Sequence, residues 1–297
     1  MNYLITGATG FIGTHLVAFL LSRGDSVNYL GRQRSRSMDS RAAFHCWNPG
    51  ELPPLGSVPR LDAVINLAGE PVARRWNSEV KRRICSSRVD RTRQLVSAIS
   101  GLKYKPAVLV SASAIGYYGD RGDEVLTESS AAGSDFLAQV CVDWEREAMY
   151  ARESGLRVVT VRIGTVLGRE GGALKKMLPP FRLGLGGRFG NGRQWMSWIH
   201  VHDLVRLLVF AAERADVAGP LNGSSPEPVT NARFTKALAR AVHRPALFPV
   251  PKFAMKLALG EAAHFLFASS RVMPERTTQA GFEFDYPELD ETLRQVL

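Results

Sequence analysis

Asn2-Tyr3-Leu4-Ile5-Thr6-Gly7-Ala8-Thr9-Gly10-Phe11-Ile12-Gly13 opens the chain with a short apolar run, a GxxGxxG spacing and the start of a helical pattern. The run 2–6 reads as a strand that stops at glycine. From Phe11 to Arg23, Ile12, Leu16, Phe19 and Leu20 recur at helical spacing, and Gly24 is placed to end that helix. In such a strand–turn–helix, the first two glycines let the turn and a pyrophosphate approach the backbone closely. The third lets helix and strand pack, and the free N–H groups at the helix start bind phosphate oxygens. Taken alone, a glycine spacing is a weak signal. Here a second strand, 26–30, completes the first βαβ unit, which is the context the motif needs. Gly7, Thr9, Gly10, Phe11, Ile12 and Gly13 are therefore expected to cradle a dinucleotide.

The end of the second strand selects the dinucleotide. An NAD site places a carboxylate there for the ribose 2′-hydroxyl. This chain has Gly31 and Arg32 instead, with Arg34, Arg36 and Arg41 close behind. A guanidinium pairs with a 2′-phosphate through charge-assisted bonds, whereas a carboxylate repels it. NADP(H) is the expected cofactor. After the apolar run 61–67, Asn66-Leu67-Ala68-Gly69-Glu70 offers small residues where the backbone must pass the adenosine ribose, so Leu67, Ala68 and Gly69 join the expected site. Eight cations lie between Arg74 and Arg93, most of them reading as a solvated helix face. Arg83 and Arg88 are the two expected to reach cofactor phosphates.

Outward from this motif, strand patterns at 61–67, 107–112 and 157–163 alternate with helical patterns near 77–99 and 134–153. Near-continuous apolar strands separated by helices imply an α/β fold, a Rossmann-type doubly wound parallel sheet. After Gly168 the texture changes: 184–192 (GLGGRFGNG) holds five glycines in nine positions, the mark of a lid or of a plain surface connection. The unit 196–216 reads as a return to the main sheet, and the Pro-punctuated remainder carries helical patterns near 231–242, 253–268 and 287–296. The expected division is a dinucleotide domain over 1–167 that regains 196–216, with 168–195 and 217–297 forming a smaller C-terminal substrate lobe.

Composition narrows the class of function. The 297 residues are 45 % hydrophobic and 22 % charged, which excludes a disordered tail or a disulfide scaffold. Net charge is +10, from 30 Arg and 8 Lys against 28 acids, and favours anionic partners. No aromatic-interleaved basic strand or recognition helix supports nucleic-acid binding. Three cysteines, at 46, 85 and 141, have no metal-ligand spacing and read as reduced thiols of a cytoplasmic protein. With the first strand starting at Asn2, no signal peptide is expected. The best apolar window, 253–268, carries Lys256, Glu261 and His264, so no membrane partner is expected either. A monomer or homodimer acting on an unidentified small molecule fits these bounds.

The glycine motif, NLAGE at 66–70, Ser111-Ala112-Ser113-Ala114-Ile115-Gly116-Tyr117-Tyr118-Gly119 and Trp198-Ile199-His200-Val201-His202-Asp203 together resemble the extended short-chain dehydrogenase/reductases. More closely, PPFRLGLGG at 179–187, GRQWMSWIH at 192–200 and the Pro-rich end are similar to an atypical "epimerase family" branch that carries a C-terminal domain of unknown function. The resemblance implies NADP(H) at the strand carboxyl ends, with Val166 in the cofactor site, and a cleft closed by the C-terminal lobe. It also implies a substrate-binding role for Ser113, the counterpart of the superfamily's catalytic serine. The superfamily's Tyr-x-x-x-Lys pair, in which Tyr exchanges a proton and Lys clamps the ribose, is absent from this chain. Aligning the helix on Trp144-Glu145 puts Leu137 and Cys141 at those positions. Ser113 with Tyr117 or Tyr118 is then the hydroxyl cluster left for catalysis, the tyrosines serving as proton donors or as aromatic walls. Cys141 reads as an inert thiol. His200 and His202 lack a third ligand, so no metal is expected. Arg193 and Trp198 are candidate substrate contacts. Two functions remain open: an NADP(H)-dependent oxidoreductase or epimerase-like enzyme, and a non-catalytic NADP(H) sensor.

Overall fold

A computed structural model describes residues 1–246 and 248–297. Seven strands form the central sheet: β1 (Asn2–Thr6), β2 (Ser26–Gly31), β3 (Ala43–Cys46), β4 (Ala63–Asn66), β5 (Val108–Ala114), β7 (Arg157–Ile163) and β11 (Gly219–Gly223). Their order is β11-β7-β5-β4-β1-β2-β3 and every pairing is parallel. The order reverses between β1 and β4, which opens a crevice beyond their carboxyl ends.

Period-2 alternation decides which side chains go to which face. Tyr3, Ile5, Ile65, Val108 and Val110 pack with α1 (Phe11–Ser22) and α6 (Val201–Glu213). Leu4, Val64, Leu109 and Val158 face the opposite layer, α3 (Val89–Ser100) and α4 (Phe136–Met149). Burial on both faces is why these strands read as unbroken apolar runs. In α1 the buried Leu16, Val17, Leu20 and Leu21 face the sheet, each fully buried Leu contributing about 1.5–3 kcal/mol. Gly24, at φ +82°, takes the left-handed position just past that helix.

Two expectations are corrected, and one strand, β3, is unmarked in the sequence. The helical pattern 77–99 is two helices, α2 (Ser78–Ser86, capped by Asn77 Oδ1 on the Val80 N–H) and α3, separated at Ser87-Arg88. Strand β3 had no clear apolar alternation to reveal it. The strand that returns to the main sheet is β11, at 219–223, rather than the run at 196–200. There, β10 (Trp198–His200) pairs with β8 (Thr165–Leu167) in a separate two-stranded sheet, which reaches the main core through Ile199 and Val166 and leads into α6.

The remaining short strands are β6 (Val125–Leu126) with β13 (Arg271–Val272), and β9 (Trp195–Met196) with β12 (Val229–Thr230). A separate core joins α5 (Gly172–Arg182), α7 (Asn231–Ala241) and α11 (Leu289–Val296) around Trp198 and Phe234. Helices α8 (Lys252–Leu259), α9 (His264–Phe267) and α10 (Glu275–Gln279) complete the chain. The glycine-rich stretch is tied into this part: Gly190 N–H donates to Val250 O at 3.0 Å, Val250 N–H to Arg188 O at 2.7 Å, and Phe189 N–H to Asn231 Oδ1 at 2.7 Å. It is a bonded connection of the C-terminal lobe. Among the described residues, no helix is long and apolar enough to cross a membrane.

Candidate active site

The cradle at the β1–α1 turn is shaped by missing side chains. Gly7 sits at φ +68°, and a Cβ there would fall 2.6 Å from Leu67 O. A Cβ on Gly13 would fall 2.3 Å from Gly7 O, so only glycine lets α1 pack on the turn. At Gly10 a Cβ would meet one atom, Gly7 O at 3.2 Å, and otherwise project into open space. Gly10 is also the N-cap and brings no side chain to it, and α1 has no acid in its first turn. The N–H groups of Phe11, Ile12 and Gly13 are thus left without intrahelical acceptors at the helix's positive end. An anionic diphosphate fits this cradle by charge, donors and space. The Phe11 ring occupies the places that Cβ atoms on Gly168 and Gly171 would need, at 2.6 and 2.3 Å. That packing brings the loop after Val166 against the start of α1.

A buried polar ladder fixes the neighbouring strand ends. Thr6 Oγ1 donates to Asn66 Oδ1 at 2.6 Å and accepts the Ala68 N–H at 3.1 Å. Asn66 Nδ2 donates to Thr92 Oγ1 at 2.9 Å and Ser111 Oγ at 3.2 Å. Leu67, Ala68 and Gly69 are held beside the cradle as a result. At the end of β2, Gly31 is followed by exposed Arg32, Arg34 and Arg36, none with a carboxylate partner among the described residues, while Arg41 is paired with Asp39 at 2.7 Å. Arg88 is half-buried under Gly69, donates to Glu70 O at 3.0 Å and Ile84 O at 3.2 Å, and lies over Trp144. In this position it braces the 68–70 loop, and burial pushes its pKa down. Arg83 lies on the exposed face of α2, 3.9 Å from Glu79.

The carboxyl end of β5 carries the candidate hydroxyls, Ser113, Tyr117 and Tyr118. Ser113 Oγ donates to Glu145 Oε1 at 2.7 Å, and Glu145 receives a bidentate pair from Arg162 at 2.9 Å on each oxygen. The Arg162 guanidinium stacks 3.5 Å from the Tyr117 ring centroid, and its Nη1 donates to the Tyr118 hydroxyl at 3.0 Å. Burial costs Arg162 some of its charge preference, but Glu145 more than restores it and the net shift is upward. Tyr117 is half-buried, and its hydroxyl bonds to no other described residue. Cys141 is buried beside Ser113, its thiol pushed up to about 12 by burial and by Glu145.

Two site expectations fail. Tyr118 is fully buried and its hydroxyl donates to Asn222 Oδ1 at 2.7 Å, so it ties β5 to β11 and is no donor to a substrate. Burial holds its pKa up at about 12. Trp198 is also fully buried, with its indole N–H on Glu227 O at 2.8 Å, and is core of the C-terminal lobe. Arg193 is exposed in the 191–194 turn, its N–H on Asn191 Oδ1. The His200 ring spans Gln295 and the His202 N–H, and His202 faces Asp285. Glu145, bonded to Ser113, and Arg162, bonded to Glu145, are the two residues at this strand end that sequence reasoning does not single out. Both left signals: Glu145 continues the helix face of Leu137 and Cys141 at i+4, and a cation inside the apolar run RVVTVRI demands a buried acid.

The sheet order, the glycine cradle at its reversal point and the serine at the next strand end define a Rossmann-type protein of the short-chain dehydrogenase class. The NAD dependent epimerase/dehydratase family matches residues 3–222, and a domain of unknown function, DUF1731, matches 250–296. The chain belongs to the NAD dependent epimerase/dehydratase family. It is 38 % identical over 298 residues to epimerase family protein YfhF of Bacillus subtilis, spanning 100 % of this chain and 98 % of the relative. The crystal structure of human epimerase family protein SDR39U1 with NADPH superposes with a TM-score of 0.90 at 35 % identity, over 100 % of this chain and 99 % of that one. A nucleoside-diphosphate sugar epimerase from Corynebacterium glutamicum gives 0.80 at 33 % identity, over 100 % of this chain and 58 % of that one.

Proposed function

We propose that the protein is an NADP(H)-dependent oxidoreductase or epimerase-like enzyme acting on a small hydroxyl- or carbonyl-bearing molecule. The observation that carries this reading is the juxtaposition of a phosphate-fitting glycine cradle, an arginine at the β2 end and the Ser113–Tyr117 hydroxyls at the β5 end. The NADPH in the human relative's crystal structure supports the choice of cofactor. Gly7, Gly10 and the α1 N–H groups would hold the diphosphate, Arg32 the 2′-phosphate, and Leu67–Gly69 the adenosine ribose. Bound NADP(H) supplies two-electron reduction or oxidation of the substrate.

This chain's own groups manage position and protons. Glu145 holds the Ser113 hydroxyl in one orientation at the buried β5 end, where its oxygen would accept a hydrogen bond from substrate. Tyr117, its ring fixed under Arg162, is the hydroxyl available to give or take a proton. The C-terminal lobe covers one side of the crevice, where Phe265 stacks on Trp76, Lys81 meets Glu261 at 2.5 Å and Lys176 donates to Ala73 O at 2.8 Å. Free thiols at Cys46, Cys85 and Cys141 favour a reducing, cytoplasmic setting.

A non-catalytic NADP(H) sensor is the second reading. It is favoured by Leu137, which stands against the Ser113–Tyr117 segment where the superfamily places its tyrosine.

A screen of carbonyl compounds and nucleotide sugars for NADPH oxidation separates the two. With a substrate in hand, Tyr117→Phe should lower turnover by about 10²–10⁴-fold with NADPH affinity unchanged, and Ser113→Ala should lower it as well. Full turnover in both variants removes them from the chemistry. Tight NADPH binding with nothing consumed across the screen favours the sensor.

A further inference from the structure

Past the end of β2 the chain turns and comes back as β3, and the return is pinned to the turn. The Trp47 N–H donates to Gly31 O at 2.9 Å, and the Cys46 thiol lies 3.6 Å from Arg32 O. Trp47 is buried, and its indole N–H donates to Glu51 O at 2.8 Å, which fixes the plane of the ring. Onto that ring comes a guanidinium from a different element: Arg91 Cζ lies 4.3 Å from the centroid, and its Nη1 donates to Asn48 O at 2.8 Å.

Arg91 is an awkward cation. It stands in the first turn of α3, at the helix's positive end, where an anion is favoured. Burial and the nearby Arg32 charge push its pKa down, and the Glu51 carboxylate offsets part of that shift without bonding to it. Neither Arg32 nor Arg91 has a carboxylate partner among the described residues, whereas Arg93, two positions on, is paired with Glu147 at 2.8 Å. Bracing Trp47 needs only an apolar stem. Two unpaired guanidiniums beside one strand end repel each other, and a doubly charged anion between them turns that repulsion into two charge-assisted bonds.

We propose that Arg91, stacked on Trp47, is the second arm of a clamp that holds the ribose 2′-phosphate together with Arg32. The inference rests on the NADP(H) reading above and adds a residue that no glycine motif or strand-end rule identifies. Stacking on a buried indole pre-organises the Arg91 guanidinium, so little freedom is lost when the phosphate arrives.

Calorimetric titration of the full chain with NADPH, NADH and 2′,5′-ADP tests it. Wild type should bind NADPH at least about tenfold tighter than NADH. Arg91→Met keeps a stem on Trp47 and removes the charge; it should weaken NADPH and 2′,5′-ADP by about tenfold and leave NADH within about twofold. Arg91→Gln serves as a second, polar variant, and Arg32→Asp should abolish the preference. A wild type that binds both dinucleotides equally overturns the cofactor reading and the clamp with it. A wild-type preference lost in Arg32→Asp but intact in both Arg91 variants overturns the clamp alone. Equal losses for NADPH and NADH in the Arg91 variants overturn it too, since they assign Arg91 to the adenine or to packing.

Discussion

Cys141 stands at the helix position where the superfamily carries its lysine, and its surroundings decide its chemistry. The folded thiol is pushed up to about 12 from an ordinary 9.0, first by burial and then by the Glu145 carboxylate. Its folded pKa lies above the unfolded one, so the native state keeps a proton that the unfolded chain releases. The stability this contributes is complete below about pH 9 and is lost as pH rises toward 12. Tyr118, raised to about 12 from 10.0, acts in the same direction. Denaturant unfolding should therefore show stability declining above about pH 9, with a shallower decline in Cys141→Ala. An unchanged slope would place the alkaline loss in other groups. A thiol reagent at neutral pH should modify exposed Cys46 and spare Cys141 until the protein unfolds.

Helix α4 carries the Leu137–Cys141–Glu145 face to the β5 end, and its start is fixed by one carboxylate. Asp135 Oδ1 accepts the Ala138 N–H at 2.9 Å, a side-chain cap at the end where the helix dipole favours negative charge. Asp135→Ala should cost about 1 kcal/mol in chemical denaturation, within a range of about 0.5–2. If stability is unchanged, the Asp135 cap contributes nothing. The division between α2 and α3 has its own consequence. Ending α2 at Ser86 frees Arg88 to turn beneath Gly69, and a continuous helix over 77–99 would have kept its side chain on the helix surface.

At the scale of the molecule, dinucleotide binding and folding draw on the same cradle in different ways. Ligand held by the native state alone raises stability by about 2.7 kcal/mol at a hundredfold excess over Kd. NADPH should accordingly raise the unfolding midpoint of wild type. Gly10→Val should remove that shift with little change in the unliganded midpoint, since space beyond Gly10 is open apart from Gly7 O. A Gly10→Val protein that NADPH still stabilises normally would make the motif a structural turn only. Gly13 is the contrasting case: a Cβ there meets Gly7 O at 2.3 Å, so its replacement should damage the fold itself.

The sequence by itself determined the doubly wound sheet, the glycine cradle and the arginine in place of an acid after β2. Each of these is written in local spacing: alternation along a strand, helical recurrence, and glycine where backbone must approach backbone. Asn222 shows what local spacing does not hold. Nothing in Gly219-Pro220-Leu221-Asn222-Gly223 marks an edge strand of the main sheet, yet its pairing with β7 puts the Asn222 amide under the Tyr118 hydroxyl and withdraws that tyrosine from the cleft. Trp198 is core and not a substrate contact, and in sequence an aromatic beside a glycine-rich segment looks the same whether it faces a cleft or a core. Glu145 with Arg162, and Arg91 with Arg32, come from elements separated along the chain. Only the tertiary structure decided these pairs, because the charge and burial of each partner depend on a neighbour that the packing of the sheet and its helices brings to it.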